Sequence, residues 1–179
     1  MKLIIAITGA SGVHLGMKML KLLPKNITPY LIVSEHAKEV FRYEPICMYD
    51  DKDISAPVAS GSFLSDAMII VPCSMNTLAK ISCGIADNLV TRAASVMIKE
   101  QRPLLLSPRE MPFSAIALEN MLKLSRLGIM IAPPILGYYS KQKSLDDMEN
   151  FIIGKWFDLL GIKHNFYKRW KAEEIDLEK

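Results

Sequence analysis

Apolar residues in this chain fall into runs of four or five, separated by longer amphipathic stretches. That alternation predicts strands buried on both faces with helices between them. Leu3 to Ile7 reads as the first strand, continuous and rich in β-branched residues. Val13 to Leu23 has helical spacing, with Leu15, Met19, Leu20, Leu22 and Leu23 apolar, and Pro24 stops it. Tyr30 to Val33 is a second strand, followed by a short helix from Glu35 to Tyr43. Pro45 to Ser65 is polar, rich in Asp, Ser and Gly, and predicts an irregular excursion. Met68 to Val71 is a third strand, with helices predicted over Met75–Ser82 and Leu89–Lys99. Pro103 to Leu106 and Ile129 to Ala132 complete the strands. Helices over Phe113–Leu127 and Leu145–Leu160 are closed by Gly128 and Gly161.

Five strands alternating with helices imply a Rossmann-like (flavodoxin-like) doubly wound α/β sheet in one domain, residues 1–162. Residues 163–179 form a charged tail that adds to the active site or a subunit interface. Small or polar residues follow every strand: Gly9-Ala10-Ser11, Ser34, Ser74, Arg109-Glu110 and Pro133-Pro134. Strand ends on one edge of such a sheet form one ligand site.

Composition narrows the class. Half of the 179 residues are hydrophobic and the mean hydropathy is +0.18, which points to subunit interfaces and an oligomer. The net charge of +3 is spread along the chain, and only Lys163 to Lys171 concentrates it, so no nucleic-acid-binding face is predicted. Cys47, Cys73 and Cys83 form no CxxC pair, and His14, His36 and His164 are scattered, so no metal site is expected. No apolar run reaches the ~18 residues of a membrane span, and no secretory leader is evident; a cytoplasmic protein is expected.

The turn Gly9-x-x-Gly12-x-x-x-Gly16 suits a phosphate, because small residues let backbone N–H groups approach its oxygens. A tight structural turn remains the alternative. The spacing is not GxGxxG, which disfavours a dinucleotide site. Tyr139-x-x-x-Lys143 mimics the catalytic pair of short-chain dehydrogenases, but it falls in a loop where that pair needs one helical face. Ser74 to Thr77 offers hydroxyls and an amide at a helix start, as caps, ligands or both. Asp87-Asn88 reads as a cap for the next helix. Arg92 and Lys99, seven residues apart, share one face of that helix and suit an anion, or form a solvated face. Arg109-Glu110 at the next strand end favours the anion.

These residues carry a family resemblance. ITGASG (Ile7–Gly12), SMNTLAKI (Ser74–Ile81), GIADNLVTRAA (Gly84–Ala94), KEQRPLLLSPRE (Lys99–Glu110), LENML (Leu118–Leu122) and the Pro133–Tyr139 loop resemble the UbiX flavin prenyltransferases. That family includes the small subunits associated with hydroxyarylic acid decarboxylases. The resemblance runs from about residue 3 to 162. It implies an FMN-binding fold, a homododecamer and metal-independent transfer of a dimethylallyl group from dimethylallyl phosphate, or the diphosphate, to N5 and C6 of reduced FMN. The prenylated flavin would serve a UbiD-type decarboxylase. FMN contacts fall on Gly9, Ala10, Ser11, Ser34, Ser74, Met75, Asn76, Thr77 and Arg109. Prenyl phosphate contacts fall on Tyr139, Lys155, Arg92, Lys99 and Glu110. Glu110, Lys99, Arg92, Ser11, Glu44 and Trp170 align with catalytic positions. Met111-Pro112-Phe113 and Gly137-Tyr138-Tyr139-Ser140 depart from the family's usual Thr-Pro-Leu and Ala-Phe-Tyr-His, and Lys155 stands where many members have Arg.

Two other readings compete. One is an FMN-dependent cysteine decarboxylase, which shares a motif like Met75-Asn76 but leaves Lys99, Glu110 and Tyr139 without a task. The other is a non-catalytic flavin carrier, which needs no cluster of cations and carboxylate.

Overall fold

Leu3 to Ile7, Ala67 to Cys73 and Leu104 to Pro108 are buried at every position, so both faces of these strands are covered. The structure is a computed structural model of the chain and describes residues 1–9, 12–34, 47–138, 142–167 and 169. The expected helix over residues 35–43, and the candidates Ala10, Ser11, Glu44, Tyr139 and Trp170, lie outside these residues. Two compact units divide the chain, Met1–Ile135 and Leu136–Lys179.

The first unit holds a parallel sheet of β1 (Lys2–Ile7), β2 (Thr28–Val33), β3 (Cys47–Asp50), β4 (Ala67–Cys73), β5 (Leu104–Pro108) and β6 (Met130–Ile131). Its order is β3-β2-β1-β4-β5-β6, the Rossmann order, which reverses between β1 and β4. Without β3 the other five, renumbered, run 2-1-3-4-5, the flavodoxin order. The excursion expected over residues 45–65 therefore contains a strand. Cys47–Asp50 pairs with β2 alone, on the sheet edge, and its residues are exposed or half-buried. A four-residue edge strand leaves neither a continuous apolar run nor a clear alternation to read.

Helices α1 (Val13–Lys21), α2 (Met75–Ser82), α3 (Leu89–Lys99) and α4 (Ala115–Arg126) complete this unit. Gly16 lets α1 approach β4: a Cβ there would sit 2.7 Å from the Val71 carbonyl oxygen and 3.0 Å from Ile7 Cδ1. Asn88 and Thr91 form a capping box on α3. The segment after β3 runs along this helix. Leu89 N–H donates to the Asp51 carbonyl (2.7 Å), Arg92 Nε to Ala59 (3.2 Å), and Arg102 to Gly61 and Phe63 (both 2.8 Å). On α4, Ile116, Leu118 and Leu122 are 71%, 53% and 52% exposed. Apolar side chains left this open on a regular helix are suited to a subunit interface.

The second unit is built on α5 (Leu145–Leu159), started by a Ser144–Asp147 capping box. Trp156 and Phe157 are buried. Asp158 is the polar hub. His164 Nε2 (3.0 Å) and Arg169 (2.7 Å) donate to its Oδ1, while Tyr167 and Arg169 (3.2 Å) donate to Oδ2. The Phe166 N–H donates to His164 Nδ1 (3.2 Å), which leaves the ring proton on Nε2. Burial alone would push the Asp158 carboxyl up, but the bonds from Arg169, Tyr167 and His164 outweigh it and hold it at about 2.

A carboxyl depressed on folding contributes stability above its unfolded pKa near 4, and that contribution is lost as pH falls through about 2. Screening at the half-exposed Arg169 limits it to about 1–2 kcal/mol. Urea unfolding of wild type and Asp158→Asn should show a gap of that size at pH 5 that closes towards pH 2. A gap independent of pH would contradict it.

Candidate active site

The carboxyl ends of β2, β1, β4 and β5 lie side by side and span about 14 Å, three interstrand spacings. At the switch point the edge is pinned by Thr8. Its buried hydroxyl donates to the Pro72 carbonyl (2.8 Å) and accepts from Ser74 N–H (2.9 Å). Pro72 cannot donate to the ladder, and the β4–β5 register breaks between Ile70 and Cys73. Thr8 stands just before the Gly9 turn in the sequence. Its partners lie 64 and 66 residues away, so no local signal marks its role. Thr8→Val keeps the shape but strands the Ser74 N–H and leaves the Pro72 carbonyl only the Thr8 N–H at 3.4 Å, a loss of about 1–3 kcal/mol in urea unfolding. Loss below that range would contradict the role.

Ser74 caps α2. Its hydroxyl accepts from Thr77 N–H (3.2 Å) and pairs with the Thr77 hydroxyl (2.9 Å). Met75 is half-buried against the core, and Asn76 is exposed in the first turn. Capping is thus present, with the remaining first-turn donors of α2 facing the edge where a ligand would meet them. Gly9 precedes α1, whose N-cap Gly12 has φ 109°, a conformation that favours glycine. Past β2, Ser34 N–H donates to Ile7 (3.2 Å), whereas its buried hydroxyl oxygen has no partner among the described residues. A buried hydroxyl without a bond costs about 1–3 kcal/mol, and a polar ligand at this edge removes that cost.

Arg109 and Glu110 follow β5 on the same edge and are exposed. Glu110 Oε1 accepts from Met111 N–H (3.1 Å). Arg92, in the first turns of α3, is exposed with Nε on Ala59. Lys99 does not join these residues within one chain. It lies about 10 Å further along α3, where the chain turns back into β5. There it pairs with Glu100 and approaches Gly61, near the opposite edge of the sheet. The seven-residue spacing does give a shared face, towards Ala59 and Gly61, but not a shared end of the helix. Lys155 is exposed on α5 in the second unit. Among the described residues no three His, Cys, Asp or Glu side chains form a metal-holding group, and no helix is long and apolar enough to cross a membrane.

A doubly wound sheet whose switch point carries a glycine turn, a capped helix start and an unpartnered buried hydroxyl defines a mononucleotide-binding protein. The flavoprotein family model matches residues 1–157. The flavin prenyltransferase UbiX of Campylobacter jejuni is 49% identical, over 96% of this chain and 99% of that protein. That of Thermoplasma acidophilum is 45% identical, over 95% and 100%. Among solved structures, AnUbiX (PadA1) in complex with FMN and dimethylallyl pyrophosphate is 39% identical with a TM-score of 0.86, covering 97% and 98%. The dodecameric FMN-dependent UbiX-like decarboxylase of Escherichia coli O157:H7 is 40% identical with a TM-score of 0.88, covering 96% and 100%. A PPC decarboxylase is 21% identical with a TM-score of 0.64, covering 75% and 86%, a likeness of fold alone. The chain belongs to the UbiX family of flavin prenyltransferases.

Proposed function

We propose that this protein is a flavin prenyltransferase that joins the dimethylallyl group of dimethylallyl phosphate to reduced FMN. The observation that carries this reading is the switch-point edge, where Gly9, Ser34, Ser74–Thr77 and Arg109 line up beside Glu110. These residues fit FMN. The glycine turn and the α2 start suit its phosphate, and the unpartnered Ser34 hydroxyl suits a polar group along its chain. Reduced FMN would supply N5, which bonds the allylic carbon as its C–O bond breaks and phosphate leaves, and C6, which bonds the far alkene carbon as the alkene takes up a proton and C6 loses one.

The protein's part is electrostatic and positional. Arg92 and Lys155 stabilise negative charge on the departing phosphate, and Tyr139 donates a hydrogen bond to it. Glu110 orients these cations and carries protons between phosphate and flavin. Ser11, Glu44 and Trp170 complete the site, Trp170 by facing positive charge on the prenyl group. Lys99, at the other edge of its own sheet, meets the phosphate only from a second copy of the chain. The exposed apolar residues of α4 and the dodecameric neighbour support such an oligomer, a homododecamer. The product serves a UbiD-type decarboxylase, and the protein works in the cytoplasm.

Phosphate release tests the reaction. Incubation with dimethylallyl phosphate and reduced FMN should liberate phosphate, and oxidised FMN should not. No release from either the monophosphate or the diphosphate, with FMN bound, would overturn the reading and favour a flavin carrier.

A further inference from the structure

The first four N–H groups of a helix have no carbonyl partner within it. On α2 these belong to Ser74, Met75, Asn76 and Thr77, and two of them are committed. Ser74 N–H donates to the Thr8 hydroxyl (2.9 Å), and Thr77 N–H to the Ser74 hydroxyl (3.2 Å). Leu78 N–H then reaches the Ser74 carbonyl (2.9 Å). Met75 and Asn76 N–H have no acceptor among the described residues. The Ser74 and Thr77 hydroxyls share one bond of 2.9 Å, so one of their two protons is left over as well. The open donors of α2 are thus few, and their place follows from where the helix begins.

Thr8 sets that place. The β1–β4 register runs from Leu3–Ala67 to Ala6–Ile70, and the β4–β5 register breaks just beyond, between Ile70 and Cys73. Past that point Thr8 makes the connection to β1. It is 5% exposed. Its hydroxyl donates to the Pro72 carbonyl (2.8 Å) while accepting from Ser74 N–H, so a single oxygen holds the chain on both sides of Cys73. The one hydroxyl proton is spent on Pro72. Thr8 therefore has none to give a ligand and acts through the helix it holds.

We propose that Thr8 is a positioning residue for FMN. Its hydroxyl fixes the start of α2 against the end of β1 and so places the open Met75 and Asn76 N–H groups where the flavin meets them. This rests on the reading that seats FMN at the switch-point edge. Hydrogen bonds weaken steeply with distance and angle, so an α2 start released from Thr8 holds the ligand less well.

Experiments on the full chain test this. Without FMN, hydrogen exchange should show the Ser74 amide protected in wild type and in Thr8→Ser, and unprotected in Thr8→Val. In fluorescence titration, at a temperature where circular dichroism shows every variant folded, Thr8→Val should weaken FMN binding about 10- to 100-fold. Thr8→Ser, which keeps the hydroxyl, should stay within about threefold of wild type. Thr8→Cys, a weaker donor and acceptor, should fall between them, and the Ser–Cys comparison serves if Thr8→Val does not fold. Phe63→Ala controls for lost stability alone. It removes the ring that packs on Tyr30 at 4.9 Å and lies under Lys2, near the amino ends of the strands, and should leave FMN affinity unchanged. Any order of affinity other than Ser, Cys, Val overturns the role, and so does a protected Ser74 amide in Thr8→Val. Phe63→Ala that weakens FMN binding as much as Thr8→Val also overturns it, because affinity would then follow stability. Wild type that binds no FMN removes the reading of the site and this role with it, whereas wild type that binds FMN with an affinity equal to that of Thr8→Val removes this role alone.

Discussion

Glu110→Gln is expected to bind FMN as wild type does and to lose prenyl transfer by about 10²–10⁴-fold. Glu110 is exposed at the β5 edge, beside Arg109, and Met111 N–H donates to it at 3.1 Å. Glutamine keeps an acceptor for that bond, so the edge should hold its shape. It loses the negative charge that orients the cations and the capacity to carry a proton. Flavin fluorescence titration checks the first half, and turnover with either phosphate donor checks the second. Unchanged turnover would remove Glu110 from the mechanism; lost FMN binding would make it a structural or cofactor residue instead.

Gly16→Ala is expected to destabilise the protein by about 1–3 kcal/mol and to weaken FMN binding together with it. Two effects oppose each other here. Alanine in place of a mid-helix glycine gains about 1 kcal/mol of helix propensity. Against that, the new Cβ lies 2.7 Å from a backbone oxygen of the central strand β4 and 3.0 Å from Ile7. A flexible side-chain end would move aside cheaply, but the Val71 carbonyl belongs to the buried sheet and cannot. The helix must therefore move, and its N-cap Gly12 moves with it. Urea unfolding and FMN titration check the two halves. A more stable variant, or one with wild-type FMN affinity, would show that the close approach does not set the turn.

The parts of this fold that were legible in the sequence are those with a local cause. Helices α2 and α3 begin at capping residues, Ser74 and Asn88, and keep helical spacing to their ends, so both ranges were readable. Fully buried strands announced themselves as apolar runs. The extra strand Cys47–Asp50 did not, because an edge strand with exposed residues resembles a loop. The line of small and polar residues past the strands was likewise local, and topology then aligned all five of those ends on one edge, since every strand of the sheet is parallel. What stayed hidden depends on partners far away in sequence. Thr8 is defined by Pro72 and Ser74, and Arg102 by the carbonyls of Gly61 and Phe63. Lys99 shows a subtler gap. Helical spacing fixes the face of a helix on which a residue lies, but seven residues also carry it two turns along the axis. In one chain that separates Lys99 from the edge carrying Ser34, Ser74 and Arg109; in an oligomer it makes Lys99 available to another subunit.

This division of labour explains why exposed cations and exposed apolar residues occur together. Arg92 and Lys99 remain on the surface of a chain whose α4 leaves Ile116, Leu118 and Leu122 open. Association that buried these cations would desolvate them, and charge stabilisation is stronger where water is excluded. A phosphate leaving group is the kind of ligand that makes such a cluster favourable.

The most direct test of the whole account is the mass of the flavin. The protein is incubated without oxygen with reduced FMN and dimethylallyl phosphate, the flavin is extracted, and its mass is measured. The account predicts FMN enlarged by one five-carbon prenyl unit. Flavin recovered at its original mass, with both the monophosphate and the diphosphate as donors and FMN demonstrably bound, would contradict it.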